Sequence, residues 1–94
     1  MDDKAVPIVL PDVGAEQHVL HVSSWFIEVG DWVEAGDRAL EVLMSGVTCD
    51  VPCPCAGRLV RIEKEMDSVV HPGDVLAWIE PSPQKFPQKF EDVE

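Results

Sequence analysis

Three closely spaced cysteines are the side chains in this sequence whose type and spacing could support metal or redox chemistry. Cys49, Cys53 and Cys55 share one parity, so an unbroken strand would place all three on one face. A tetrahedral thiolate site would need a further ligand from elsewhere, and the intervening Pro52 and Pro54 restrict how the chain could wrap around an ion. Because a free cysteine behaves as a small hydrophobic residue, a cysteine-lined core face is the favoured interpretation, and a metal site is the weaker alternative.

The histidines offer little support for a shared site. His18 and His21 are three residues apart, which puts them on opposite faces of a strand, and His71 precedes Pro72 in a predicted turn. The sequence also has no glycine-rich phosphate loop, no Ser-His-Asp arrangement and no metalloprotease or nucleotide motif. These observations predict a chain without catalytic residues, and therefore a protein that is not an enzyme by itself.

The elements that must position these side chains are short β-strands. Apolar residues seldom recur with helical spacing, and Pro or Gly interrupts nearly every window of helical length. Runs rich in Val, Ile, Leu and Trp alternate instead with Gly-Asp and Pro turn signals, a pattern that is typical of an all-β sandwich or barrel. The predicted strands are Val6–Leu10, Val19–Ile27, Arg38–Leu43, Val47–Val51, Arg58–Ile62 and Val75–Ile79, with shorter ones at Trp32–Val33 and Val69–Val70.

An internal repeat predicts two-fold symmetry within the domain. WVEAGDRALEV, residues 32–42, aligns with VVHPGDVLAWI, residues 69–79, so that two Gly-Asp pairs coincide. Glycine accepts a positive φ and aspartate accepts hydrogen bonds from neighbouring backbone amides, so each pair predicts a turn. Asp31, Asp37 and Asp74 are accordingly interpreted as turn residues rather than acid–base groups, since no partner accompanies them at a useful spacing.

The composition indicates a small and acidic folded domain. The 94 residues contain 18 Asp and Glu against 7 Lys and Arg, for a net charge of −11, and 46% of the residues are hydrophobic. This balance disfavours binding to nucleic acid or to an anionic membrane surface, because both are polyanions. The acidity either keeps a small domain soluble or steers it towards a basic protein partner.

Targeting and membrane-spanning patterns are absent from the sequence. The N-terminal residues have no basic segment followed by a long apolar run, and no stretch approaches the ~18 apolar residues that would cross a bilayer. Three cysteines, an odd number, do not form a disulfide framework. We therefore expect a cytoplasmic protein.

Composition also divides the chain into one domain and two tails. Residues 1–5 are a predicted N-terminal tail, residues 6–80 the folded domain, and residues 81–94 a proline-rich tail that we expect to be flexible. The C-terminal tail contains PQKF twice in tandem, at residues 83–86 and 87–90. The alternative to a flexible tail is a short docking peptide, with Phe86 and Phe90 as apolar anchors beside Lys85 and Lys89.

Four segments in order resemble the lipoyl/biotinyl attachment domain family. They are VLPDVG at residues 9–14, WFIEVGDWVEAGDRALEV at 25–42, VPCPCAGRLVRI at 51–62 and VVHPGDVLAWIE at 69–80. The resemblance implies an all-β fold, a flattened barrel or barrel-sandwich hybrid of two small antiparallel sheets with a pseudo-two-fold axis. It also implies, at most, a carrier or accessory domain of a multienzyme complex.

The resemblance further implies where a cofactor would be attached. The modified lysine of that family lies at the tip of the hairpin that joins the two halves, and the matching position here is Gly46. The hairpin consists of Met44, Ser45, Gly46 and Val47, and the lysines of the whole chain are Lys4, Lys64, Lys85 and Lys89. Because lipoyl and biotinyl groups are attached through a lysine amine, we expect no cofactor.

Two functions follow from this resemblance. The first is a non-catalytic lipoyl-like protein-interaction module that lacks the attachment lysine and docks on a protein partner, such as a subunit of a dehydrogenase-type complex. The alternative is a carrier domain for lipoate, or with less support biotin, in the acyltransferase component of a 2-oxo acid dehydrogenase-type complex.

Overall fold

The computed structural model describes residues 4–14 and 18–82. Within these two ranges the chain is built from strands, which confirms the all-β prediction. The strands are β1 (Val6–Val9), β2 (Leu20–Trp25), β3 (Trp32–Val33), β4 (Arg38–Met44), β5 (Val47–Pro52), β6 (Gly57–Ile62), β7 (Val69–Val70) and β8 (Val75–Pro81). The tandem PQKF segment lies outside the described residues, as do residues 1–3 of the predicted N-terminal tail.

The strands form two four-stranded antiparallel sheets. One sheet has the order β1-β8-β6-β3 and the other the order β5-β4-β2-β7. The strands of the two halves correspond as β1 to β5, β2 to β6, β3 to β7 and β4 to β8. Exchanging the members of each of these pairs converts the order of the first sheet into that of the second. The predicted flattened barrel with a pseudo-two-fold axis is therefore confirmed, and β3 and β7 begin at the first residue of each copy of the internal repeat, Trp32 and Val69.

Some strand bounds differ from the predicted ones for reasons of pairing. The predicted strand Val19–Ile27 is shorter in the structure, because after Trp25 the chain leaves its sheet and crosses to the other one. The prediction for β8 stopped at Ile79, but the strand continues because Pro81 still pairs with Gly57 of β6. An apolar run does not show where a strand changes sheets, because both sheets contribute to the same core.

The core lies between the two sheets and receives alternate residues of each strand. On β4, for example, Leu40 and Val42 are fully buried, whereas Glu41 between them is only partly buried and points to the other face. Cys53 belongs to this core, and Cys49 and Cys55 pack against its edge. The cysteine side chains therefore contribute to packing, as small hydrophobic residues do.

Gly57 allows β6 and β8 to approach each other closely. A Cβ at this position would overlap the carbonyl oxygen of Glu80 and lie 2.8 Å from the Cγ2 atom of Ile79. Glycine is required here for lack of space, since its φ lies outside the positive range.

Three turns with a shared hydrogen-bond pattern connect the strands. In each, an aspartate carboxylate accepts a hydrogen bond from the backbone amide three residues earlier, and a glycine with positive φ precedes the aspartate. The bonds run from Glu28 to Asp31 (2.8 Å), from Glu34 to Asp37 (2.9 Å) and from His71 to Asp74 (2.9 Å). The three carboxylates therefore stabilise turns, as the sequence predicted.

Candidate functional site: the β4–β5 hairpin tip

The tip of the β4–β5 hairpin is a two-residue turn. Met44 pairs with Val47, and the two residues between them have positive φ, 50° at Ser45 and 82° at Gly46. Two successive positive φ angles are those of a type I′ turn, whose twist matches the twist of antiparallel strands. Gly46 adopts this conformation without a Cβ penalty, and a side chain built there would project into open space.

One side-chain contact connects the tip to the chain segment before β2. The Oγ atom of Ser45 and the Nδ1 atom of His18 lie 2.9 Å apart, and both residues are exposed. A serine–histidine pair acts as a nucleophile and base when a third group orients the base in a protected site. Among the described residues no carboxylate bonds to His18, so this contact positions the tip and gives no catalytic arrangement.

The tip does not offer the amine that a lipoyl or biotinyl group requires. It presents the hydroxyl of Ser45 and the backbone of Gly46, and within the described ranges the lysines are Lys4 and Lys64. The Lys64 carbonyl accepts a 2.8 Å hydrogen bond from the Trp25 indole, at the end of β2 that is remote from the tip. Trp25 and the tip-proximal residue Leu20 are separated by five positions, about 17 Å along a strand. The residues present therefore do not fit an amide-linked cofactor at the hairpin.

Comparison of the sequence with known proteins identifies the family of this chain. The sequence model of the family described as "Biotin-requiring enzyme", the biotin/lipoyl domain family, matches residues 6–79. The chain belongs to this family. The predicted resemblance is thereby confirmed.

Curated relatives of this biotin/lipoyl domain are much longer proteins. It is 33% identical over 75 residues to the dihydrolipoyllysine-residue acetyltransferase component of the pyruvate dehydrogenase complex from Corynebacterium glutamicum, covering 80% of this chain and 11% of the relative. The proteins of the same name from Staphylococcus aureus and Mycobacterium bovis are 31% and 33% identical, over 76% and 80% of this chain and 16% and 14% of their own length. The chain thus spans less than a fifth of each of these relatives.

Two cysteines of this biotin/lipoyl domain, Cys53 and Cys55, are poorly suited to chemistry. Burial, the nearby charge of Asp37 and the neighbouring Cys55 together raise the pKa of the Cys53 thiol to about 11, and burial also raises the pKa of Cys55. A neutral thiol is neither a nucleophile nor a metal ligand. Within residues 4–14 and 18–82, no cluster of three or more His, Cys, Asp or Glu side chains is arranged to hold a metal ion.

An apolar surface next to the tip was not identified from the sequence. We call it the tip-flanking surface, and it comprises Val19, His21, Leu43 and Val69. His21 of β2 pairs with Leu43 of β4 on one side and with Val69 of β7 on the other, on the face opposite the core. Val19 and Val69 are each more than half exposed. Their alternation with buried neighbours is the signal in the sequence, but it becomes readable only when strand pairing is known.

The part of the chain that the structure describes contains no helix of the length and apolar character needed to cross a membrane.

Proposed function

We propose that this biotin/lipoyl domain is a non-catalytic protein-interaction module that lacks the attachment lysine and docks on a subunit of a dehydrogenase-type complex. The observation that carries the proposal is the hairpin tip, where Ser45 and Gly46 form a well-adapted turn without an amine. The fold and the hairpin of a carrier are kept, while the residue that would carry the cofactor has no equivalent at the tip.

The tip-flanking surface supports docking on another protein. Val19 and Val69 expose apolar side chains beside the hairpin, and exposed apolar residues that cluster on one face often mark protein interaction sites. The net charge of −11 favours a partner with a basic rim around its own apolar contact. The relatives named as components of the pyruvate dehydrogenase complex support a subunit of such a complex as this partner. We place the interaction in the cytoplasm.

A second candidate function is that of a lipoate carrier. It is favoured by the same relatives, whose names describe a lipoyl-lysine acetyltransferase component. It would require attachment at Lys64, which lies away from the hairpin, or at Lys85 or Lys89, which are outside the described residues. Biotin has less support as the attached cofactor, because the names of these relatives refer to lipoyl-lysine.

Purification of the chain from its own cells tests both functions. Intact mass, with peptide mapping of every lysine, is expected to show an unmodified chain, and native purification is expected to recover a specific protein partner. A mass increase equal to a lipoyl or biotinyl group on any lysine would overturn the module and establish the carrier. Recovery of the chain alone, under conditions that preserve dehydrogenase complexes, would also contradict the module.

A matched pair of variants checks the assigned attachment position. Gly46→Lys places an amine at the tip, and Gly36→Lys places one at another exposed glycine with a similar φ, 93° against 82°. With a lipoate ligase we expect modification of Gly46→Lys only, with wild type and Gly36→Lys unmodified. Equal modification of both variants would show that the ligase does not recognise this hairpin.

A further inference from the structure

An open groove lies on the side of the barrel, away from the hairpin tip. It has a volume of about 450 Å³ and lies between the two segments that cross from one sheet to the other, residues 26–31 and 63–68. The residues that line it are Trp25, Ile27, Glu28, Val29, Ile62, Glu65 and Met66.

The groove follows the pseudo-two-fold axis of the domain. The internal repeat relates Trp32 to Val69, a separation of 37 positions. The same separation relates three pairs of groove residues, which are Trp25 with Ile62, Glu28 with Glu65, and Val29 with Met66. The last pair is also matched in exposure, at 57% and 58%. Each half of the domain therefore contributes to these pairs one partly buried apolar residue (Trp25 or Ile62), one carboxylate (Glu28 or Glu65) and one exposed apolar residue (Val29 or Met66).

The chemistry of the groove suits an apolar side chain next to a cation. The Trp25 ring is held in place by the hydrogen bond from its Nε1 atom to the Lys64 carbonyl, which leaves a fixed apolar surface for contact. Glu28 and Glu65 are exposed, and their carboxylates form no ion pair with any residue that the structure describes. A segment that presents an aromatic ring beside a lysine would satisfy both parts of the groove.

The chain itself contains a segment with this chemistry. Residues 83–90, PQKFPQKF, carry two Lys-Phe pairs and no acidic residue, in a chain whose net charge is −11. Each proline fixes its own φ and restricts the residue before it, which lowers the entropy lost when such a segment binds.

The position where the described chain ends brings this segment within reach of the groove. The Ser82 amide donates a 3.1 Å hydrogen bond to the Ala56 carbonyl, beside Gly57 at the start of β6. Ile62, which lines the groove, is five positions further along β6, or about 17 Å. The eight residues that follow Ser82, up to Phe90, span up to about 27 Å when extended. This length exceeds the distance to Ile62, and the difference allows the chain to reverse direction after β8.

We propose that the groove binds the second Lys-Phe pair of residues 83–90 of the same chain, because the first pair lies within about 14 Å of Ser82 and falls short of the groove. The Phe90 ring packs against Trp25, Val29 and Met66, and Lys89 faces the carboxylates of Glu28 and Glu65. The hairpin tip stays open when the groove is filled, because the two lie at opposite ends of β2. This binding is independent of whether the domain carries a cofactor.

Nuclear magnetic resonance on the full, isotopically labelled chain tests the proposal. We expect nuclear Overhauser effects between the ring of Phe90 and the Met66 methyl group. Phe86→Ala/Phe90→Ala is expected to shift the indole resonance of Trp25 and the amide resonances of the groove, and to leave Gly46 unchanged. The control Lys4→Gln alters a charged residue outside the groove and is expected to shift neither set.

Titration with the free peptide PQKFPQKF measures the role of the carboxylates. The peptide is added to the Phe86→Ala/Phe90→Ala chain, and binding is followed at the Trp25 indole. Glu28→Gln/Glu65→Gln in that chain is expected to weaken binding by about three- to tenfold, as for two exposed ion pairs. The control Glu34→Gln/Glu80→Gln removes the same charge elsewhere and is expected to change binding little.

Two results would overturn the proposal. The first is a full chain in which neither Phe ring contacts the groove and Phe86→Ala/Phe90→Ala leaves the groove resonances unchanged. The second is a set of contacts that appears only between differently labelled chains in a mixed sample, which would assign the segment to a second copy. Neither result bears on the proposed docking at the hairpin tip, which is measured separately by native purification.

Discussion

At the residue scale, the environment of Cys53 couples its thiol to the stability of the fold. The Cys53 amide donates a 2.8 Å hydrogen bond to the Asp37 carbonyl, and the Gly36 amide donates a 2.9 Å hydrogen bond to the Cys53 carbonyl. The side chain is thereby held in the core, beside a carboxylate that disfavours a second negative charge. Burial, the Asp37 charge and Cys55 raise the pKa of the thiol from 9.0 to about 11.

Stability is therefore expected to fall as the pH rises from 9 towards 11. In this window the unfolded chain loses the Cys53 proton while the folded chain keeps it, so that the unfolded state binds fewer protons and is favoured by alkali. The expected loss approaches about 2 kcal/mol at pH 11. Urea unfolding of wild type and Cys53→Ala in a reducing buffer measures this loss as the difference between two profiles. Parallel profiles of the two proteins above pH 9 would contradict it.

The three cysteines share one parity but differ in burial, and the buried one is Cys53, which directly follows the last residue of β5. Cys49 faces the core from β5, but β5 is an edge strand of its sheet, so the side chain is only partly covered. Cys55 follows Pro52 and Pro54 beyond the end of the strand, where alternation no longer determines direction. The alternation of side chains along a strand therefore predicted which face of the strand the cysteines share. How deeply each cysteine is buried depends on the neighbouring strands, which the sequence does not reveal.

At the element scale, the two segments that cross between the sheets are equivalent in position but not in sequence. Glu28–Asp31 and Glu65–Ser68 form turns with matching backbone bonds, Asp31 to Glu28 at 2.9 Å and Ser68 to Glu65 at 3.0 Å. The third residue has a positive φ in both, 100° at Gly30 and 76° at Asp67. The second turn thus places a side chain where the first turn has glycine.

Exchanging these residues should change stability in opposite directions. Asp67→Gly is expected to raise the free energy of unfolding by about 0.5 kcal/mol, because glycine removes the steric cost of a positive φ and keeps the turn. Gly30→Asp is expected to lower it by about 1 kcal/mol for the converse reason. Asp67→Asn serves as the control, since it removes the same charge and keeps a side chain. Urea midpoints measure all three, and a loss of stability in Asp67→Gly would contradict the equivalence of the turns.

The strands, the turns and the two-fold repeat could be predicted from the sequence, because each has a local signal. Alternating apolar residues indicate strands, and Gly-Asp pairs indicate turns. The groove could not be predicted, because it forms where Trp25 and Val29 of one half meet Ile62 and Met66 of the other. Residues 63–68 read as an ordinary loop, and only sheet pairing shows that they face residues 26–31.

At the scale of the whole molecule, the two halves share one apolar core and carry an unbalanced charge on the surface. No polar or charged residue is buried in the part of the chain that the structure describes. The pairs of Arg38 with Asp50 at 3.4 Å and of Arg61 with Glu63 at 3.0 Å are exposed, and such pairs contribute little. The net charge of −11 therefore acts mainly as repulsion among surface carboxylates.

Added sodium chloride is consequently expected to stabilise the domain. Salt shortens the range of repulsion from about 30 Å at 0.01 M to about 3 Å at 1 M, and we expect a gain on the order of 1 kcal/mol. Two double variants at the same exposed positions isolate this effect. Val47→Lys/Val69→Lys changes the net charge from −11 to −9 and should respond less to salt, whereas Val47→Glu/Val69→Glu changes it to −13 and should respond more.

Thermal or urea unfolding of the three proteins across the salt range distinguishes this general repulsion from local ion pairing. If repulsion dominates, the three stability curves converge at high salt, because screening removes the differences that charge alone creates. Convergence also excludes a loss of packing at Val47 and Val69 as the cause, since such a loss would persist at every salt concentration. A wild-type domain that becomes less stable as salt is added would show instead that the Arg38 and Arg61 pairs outweigh the net charge.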